Sequence, residues 1–134
     1  MELWDRWGFA FDDRMPIYRQ IILQFLRAFV RGDIKPGERI PSIREMSSIL
    51  KVNTNTIQRS YQEMERGGLI DSKRGTGYYF TEEKDMTEKT RRELASDSLR
   101  RFVEEMRALG CSDQQIFAEI AAFIEGGEPH ANGA

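Results

Sequence analysis

Two helix-start signals lie so close together in this chain that only a two-turn helix and a tight turn fit between them. Ser42 and Glu45 have the capping-box spacing, in which each side chain satisfies the other residue's free backbone N–H. Ile43, Met46 and Leu50 then form one apolar face, and the helix stops near Lys51. Val52 plugs the turn, and Asn53 caps a further helix that runs to about Arg66 with Ile57, Tyr61 and Met64 toward the core. Gly67-Gly68 terminates it. Upstream, Pro16 suits a first helical turn, and Tyr18, Ile21, Ile22, Phe25 and Phe29 recur at steps of three and four as far as Arg31. Gly32 ends that helix, and Lys35-Pro36-Gly37-Glu38 is a turn. Downstream, Leu69-Ile70-Asp71-Ser72 and Gly77-Tyr78-Tyr79-Phe80 read as short strands around Lys73-Arg74-Gly75-Thr76, a β-hairpin with a glycine-bearing loop. The order predicts a mainly α fold with a small β-hairpin wing, a winged helix-turn-helix.

That order has a physical use. A helix from Asn53 to Arg66 is ~20 Å long, and a helix fits a DNA major groove ~12 Å wide. Opposite its buried face it would present Asn55, Arg59, Gln62 and Arg66, with Thr56 to one side. Asn suits adenine, Arg suits guanine, and Thr suits a phosphate or a thymine methyl. Glu63 and Glu65 would repel phosphates, so only the amino-terminal end, Asn53 to Arg59, is expected to enter the groove. That end also offers free N–H groups and the positive pole of the helix dipole. Arg44, near the start of the preceding helix, sits where such helices cross the backbone. The hairpin tip would bring Lys73, Arg74, Gly75, Thr76 and Gly77 to the minor groove or its phosphates. Each piece alone has a plain structural reading, a solvated helix face or a tight turn. Gly75-Thr76-Gly77 lies between strand-like segments, which excludes a nucleotide-binding glycine loop running from strand into helix.

The stretches Pro16-Ile17-Tyr18-Arg19-Gln20-Ile21 and Gly32 to Met46 (GDIKPGERIPSIREM) resemble the GntR family of bacterial repressors. So do Val52-Asn53-Thr54-Asn55-Thr56-Ile57-Gln58-Arg59, Leu69-Ile70 and Arg74-Gly75-Thr76-Gly77. The likeness covers roughly residues 15–81. The remainder of the chain is similar to the YtrA-type branch, in which a short helical tail replaces a large effector domain. The resemblance implies DNA contacts at Arg44, Asn53, Asn55, Thr56 and Arg59, and in the wing at Gly75 to Gly77. Many members carry Arg directly after the helix-capping residue, where this chain has Thr54. A guanine contact from that position is not expected, and operator preference should differ accordingly.

Charge enters once it is divided along the chain. The net charge is −2, but residues 1–30 sum to zero, residues 31–80 carry nine basic against six acidic groups, and residues 81–134 carry seven against twelve. Phosphate binding depends on local potential, so a head at +3 and a tail at −5 matter more than their sum. No run of ~18 apolar residues occurs, so no membrane span is expected. The start shows no secretory signal, and the lone Cys111 cannot form an internal disulfide; both fit a cytoplasmic protein.

Charges from Glu82 to Glu93 mark a linker passing into a helix with Leu94, Leu99, Phe102, Val103, Met106 and Leu109. Gly110 breaks it, Ser112 and Gln115 repeat the capping-box spacing, and a last helix shows Ile116, Ile120, Phe123 and Ile124. Two amphipathic helices without a third element need a partner surface, either the head or a second copy, and ~40 residues enclose no sizeable pocket by themselves. Dimerisation through Leu99, Phe102, Val103, Met106, Leu109, Ile116, Ile120, Phe123 and Ile124 matches the two-fold symmetry of helix-turn-helix operators. The expected domains are an arm at 1–14, a winged helix-turn-helix DNA-binding domain at 15–81, a helical dimerisation tail at 82–126 and a disordered end at 127–134. Trp4, Trp7, Phe9 and Phe11 of the arm either line a small-ligand cleft or simply pack.

The expected function is a homodimeric transcription regulator, a repressor on an inverted-repeat operator in double-stranded DNA, with room for release by an effector of unspecified identity. The alternative is a winged-helix protein-interaction module without DNA binding, for which Arg59, Lys73 and Arg74 would have no purpose. No cofactor is expected. The sole histidine, His130, stands in a loose Gly/Pro/Asn-containing end, against a metal site of the several-histidine kind found in some relatives. No nucleophile and base arrangement suggests an enzyme, and Cys111 at a helix break reads as structural or incidental.

Overall fold

A computed structural model describes residues 2–7 and 11–126 of the chain. Phe9, His130 and the end from 127 to 134 lie outside the described residues. The chain forms two compact units, Met1–Arg91 and Arg92–Ala134.

The first unit is mainly helical with a small antiparallel sheet. Helix α1 (Ile17–Arg31) buries Ile21, Phe25, Ala28 and Phe29, the face that the steps of three and four predict. Gly32 ends it at φ 86°, a left-handed conformation that costs glycine little, and its N–H returns to the Ala28 and Phe29 carbonyls. Helix α2 (Ile43–Leu50) starts on the Ser42–Glu45 box: the Glu45 N–H donates to Ser42 Oγ at 3.1 Å and the Ser42 N–H donates to Glu45 Oε1 at 2.9 Å. Those bonds from Ser42 hold the Glu45 carboxyl below the usual carboxylate range. Lys51 closes α2 in the left-handed region at φ 57°, which a side-chain-bearing residue adopts only where a turn demands it. Helix α3 (Thr54–Arg66) follows after Lys51, Val52 and Asn53 and buries Ile57, Ser60, Tyr61 and Met64.

The wing is a three-stranded sheet rather than a hairpin alone. Strands β1 (Arg39–Ile40), β2 (Ile70–Lys73) and β3 (Gly77–Phe80) run in the order β1-β3-β2, with Arg39 opposite Tyr79 and Ile70 opposite Phe80. A two-residue strand has no readable period, so β1 is decided by pairing with β3 and by burial of Ile40. The sheet packs through Ile40, Ile70 and Phe80, all fully buried.

Phe25 is the hub of the core. Its ring meets Tyr61 of α3 edge-on at 5.9 Å, Phe80 of β3 at 6.1 Å, and Trp4 and Trp7 of the arm at 5.9 and 4.9 Å. The Tyr61 hydroxyl donates to the Pro41 carbonyl at 2.6 Å, and burial pushes its phenol up, so the ring stays neutral. The arm is therefore part of the head: a 3₁₀ helix, Leu3–Arg6, places Trp4 in the core, and Phe11 packs at its edge. Of the two roles open to the arm, packing is the one that Trp4 and Trp7 perform. Gln20 of α1 ties down the segment between, its amide donating to the Asp12 and Met15 carbonyls at 2.7 and 2.6 Å.

Helix α4 (Lys84–Ala108) begins inside the charged stretch read as a linker. Met86 packs against the head core, Thr90 is buried, and Arg91 Nη2 donates to the Val30 carbonyl at 2.7 Å. The surrounding charges are the solvated face of this first part of the helix, which belongs to the first unit. In the second unit the remainder of α4 is followed by α5 (Asp113–Gly126), with Gly110 in the left-handed region at φ 90° between them. A Ser112–Gln115 capping box and an Arg107–Asp113 ion pair at 3.2 Å set that corner.

Replacing Trp4 by Ala should cost about 3–5 kcal/mol of stability, the range for emptying a buried aromatic site. Urea unfolding followed by circular dichroism measures it; a loss under ~1 kcal/mol would remove the arm from the core.

Candidate nucleic-acid interface

Helix α3 is presented by its two flanking bonds. Asn53 Oδ1 accepts from the Asn55 N–H at 2.7 Å, which caps the first turn and commits the Asn53 carbonyl oxygen, leaving its Nδ2 as the donor side. At the other end Ser72 Oγ donates to Glu65 at 2.8 Å, and the Leu69 N–H donates to the Met64 carbonyl at 2.9 Å, so α3 and β2 hold one another. Glu63 pairs with Arg66 at 3.0 Å, so both carboxylates of the later half of α3 have partners there.

Over the first two turns Asn53, Thr54, Asn55, Gln58 and Arg59 are exposed and Thr56 is half-buried. Ile57 and Ser60 face inward, fully buried. Ser60 lets α1 and α3 approach closely, its Oγ lying 3.0 Å from the Tyr18 carbonyl and 3.1 Å from the Thr56 carbonyl. Arg44 is exposed in the first turn of α2 and makes no ion pair among the described residues. Gln58 is an exposed polar group that periodicity alone assigned no role.

The wing tip is a four-residue turn from Lys73 to Thr76. The Thr76 N–H donates to the Lys73 carbonyl at 3.0 Å, and Gly75 stands at φ +77°, a value that turns reserve for glycine. Lys73 to Thr76 are exposed, and Lys73 Nζ lies 4.6 Å from the centre of the Tyr79 ring, which steadies the cation without neutralising it. Arg39, which the sequence left unassigned, supports this loop from β1. Its Nε donates to the Thr76 carbonyl at 3.1 Å, and its side chain covers Gly77, where an added Cβ would lie 3.1 Å from Nε. Arg39, Lys73 and Arg74 together line one shallow hollow. No cluster of three or more His, Cys, Asp or Glu side chains suited to a metal ion occurs among the described residues.

The model of the bacterial regulatory proteins of the gntR family matches residues 17–80, from the first residue of α1 to the last of β3. The Bacillus subtilis HTH-type transcriptional regulator YhcF is 39% identical over 87% of this chain and 97% of its own length. The chain belongs to the GntR family. As a GntR protein it is a DNA-binding transcriptional regulator of helix-turn-helix type. The Bacillus subtilis HTH-type transcriptional repressor YtrA is 32% identical over 84% of this chain and 90% of its own. A solved GntR family transcriptional regulator from Listeria monocytogenes superposes with a TM-score of 0.76 at 38% identity, over 83% of this chain and 97% of that one. These likenesses extend beyond the GntR head into the tail helices.

Substituting Gly77 tests the wing. Ala forces a side-chain-bearing residue to φ +125° beside Arg39, and Asp adds a negative charge at the same place. Gly77→Ala should weaken binding to duplex DNA several-fold, and Gly77→Asp by roughly tenfold or more. Fluorescence anisotropy with a labelled duplex measures both; unchanged affinity for the pair would exclude a wing contact.

Proposed function

We propose that this GntR regulator is a repressor that binds an inverted-repeat operator as a homodimer, with the first two turns of α3 in the major groove. The supporting observation is the division of α3 into a sealed face and an open one. Ile57, Ser60 and Tyr61 are buried, while Asn55, in the first turn at the positive end of the helix dipole, and Arg59, one turn further on, stand on the open side. Arg44 on α2 and Lys73 to Gly77 on the wing supply backbone contacts, and Asn53 and Thr56 flank the reading positions. Repression is the role that the name of YtrA carries, and YtrA is a relative over most of its length.

The tail supports the homodimer. Of the nine positions assigned to dimerisation, Ile116 is already buried within a single chain and Val103, Met106 and Ile120 are half-buried. Leu99, Phe102, Leu109, Phe123 and Ile124 are exposed, joined by Phe117, which periodicity had not singled out. Phe102, Met106, Ile120, Phe123 and Ile124 border an apolar groove of about 320 Å³ between α4 and α5. Clustered exposed apolar side chains mark interaction surfaces, and a second copy covers them with the same chemistry. The two-fold symmetry of such a dimer matches an inverted-repeat operator with half-sites roughly 34–36 Å apart, one helical turn of DNA.

Arg44→Ala and Arg59→Ala are each expected to weaken operator binding by about tenfold, the effect of one charge-assisted contact. Arg44→Ala should leave the thermal midpoint unchanged, because its side chain is exposed, and Arg59→Ala should lower it only slightly, by loss of one exposed ring contact with Tyr18. Gel shifts on DNA upstream of the protein's own gene measure this, and full-strength binding by both variants would refute the assignment. Phe123→Glu should convert a dimer to a monomer in sedimentation velocity and reduce operator affinity. A wild-type chain that sediments as a monomer at every concentration would reject the dimer.

A further inference from the structure

We propose that Tyr18, at the start of α1, is a positioning residue of the nucleic-acid interface that holds the Arg59 guanidinium pre-organised for DNA. The inference rests on the reading of α3 as the element that enters the groove. Arg59 Cζ lies 3.9 Å from the centre of the Tyr18 ring, and Arg59 Nη2 donates to Tyr18 Oη at 3.3 Å. Tyr18 is itself fixed, because its carbonyl faces the fully buried Ser60 Oγ at 3.0 Å. Successive residues of α3 therefore grip one residue of α1, Arg59 by the ring and Ser60 by the backbone.

The arrangement suits a ligand-binding cation better than a structural one. A free arginine has many rotamers and loses that freedom when it binds. A ring face attracts the cation through its quadrupole without cancelling the charge. Only one N–H donor is drawn to Tyr18; the others remain for a phosphate or a base edge. The carboxylates of α3 do not compete: Glu63 pairs with Arg66 and Glu65 accepts from Ser72. Tyr18 thus extends the interface to the first helix, outside the helix-turn-helix and the wing.

The test measures affinity for a duplex enriched by the wild-type protein from a randomised pool, in a double-mutant cycle. Tyr18→Leu, which keeps apolar bulk but removes the ring and hydroxyl, should weaken binding about three- to tenfold, and Tyr18→Phe by no more than about twofold. In an Arg59→Ala background Tyr18→Leu should add no further loss. Independently of DNA, ¹⁵N relaxation should find the Arg59 Nε–H more ordered than that of Arg44 in the wild type and in Tyr18→Phe, and no more ordered in Tyr18→Leu. An equal loss from Tyr18→Leu in both backgrounds, or an Arg59 as mobile as Arg44 in the wild type, would overturn the positioning role. Wild-type affinity for Arg59→Ala, with Arg59 ordered on Tyr18, would instead remove Arg59 from the DNA contacts and reduce the stack to a structural one.

Discussion

The head depends on one constraint: a single phenylalanine, Phe25, must be covered from every side by segments that do not adjoin it in sequence. Trp4 and Trp7 approach it from the arm, Tyr61 from the recognition helix and Phe80 from the wing. Aromatic rings bury much area and fix mutual geometry through edge-to-face contact, so this cluster sets both the distance and the tilt between α1, α3 and β3. Phe29 stacks on Phe80 at 4.9 Å and Tyr61 meets Tyr78 at 4.9 Å, carrying the same network out to the sheet. The functional surface inherits its shape from that core. Tyr61 faces inward and secures Pro41, the residue before the α2 cap, while Asn55 and Arg59 on the same helix face out.

Local electrostatics explain how a chain of net charge −2 serves as a DNA-binding regulator. The acidic excess lies after residue 80, whereas the head is positive. Within the head, the carboxylates of α3 are engaged by Arg66 and Ser72, and Asp33 is held by Arg31 at 3.0 Å. Arg44, Arg74 and the ring-steadied Lys73 and Arg59 keep their positive charge toward solvent. Ring contacts suit this arrangement because they order a cation at little cost to its field. Exposed ion pairs would order the side chain too, but they would also neutralise it.

Legibility tracked the range of the interactions. The ends of α1 and α3 and the start of α2 were readable because capping, glycine stops and apolar spacing act within a few residues. The residues proposed to meet DNA on α3 were readable in the same way, as the positions left over once the buried face is assigned. Strand β1 was not, since two residues have no period and Arg39–Ile40 is a strand only because β3 lies beside it. Nor was the early start of α4: a charge run looks like a linker until Met86, Thr90 and Arg91 find the head. Tyr18 was placed on the buried face by its spacing, and its ring under Arg59 depends on a partner far along the chain.

What the amino-acid order determined by itself is therefore the inventory: the starts and stops of the three head helices, the tight turn between α2 and α3, the glycine-tipped ribbon, the presence of two tail helices, and motifs dense enough to point to the GntR family. These arise from backbone hydrogen bonding and side-chain periodicity, which are local. Tertiary structure alone decided that the aromatic arm closes the core, that Arg39 buttresses the wing, and that the neighbouring α3 residues Arg59 and Ser60 both attach to Tyr18 of α1. Each of those needs surfaces from distant parts of the chain to meet, and no spacing rule along the sequence encodes such a meeting.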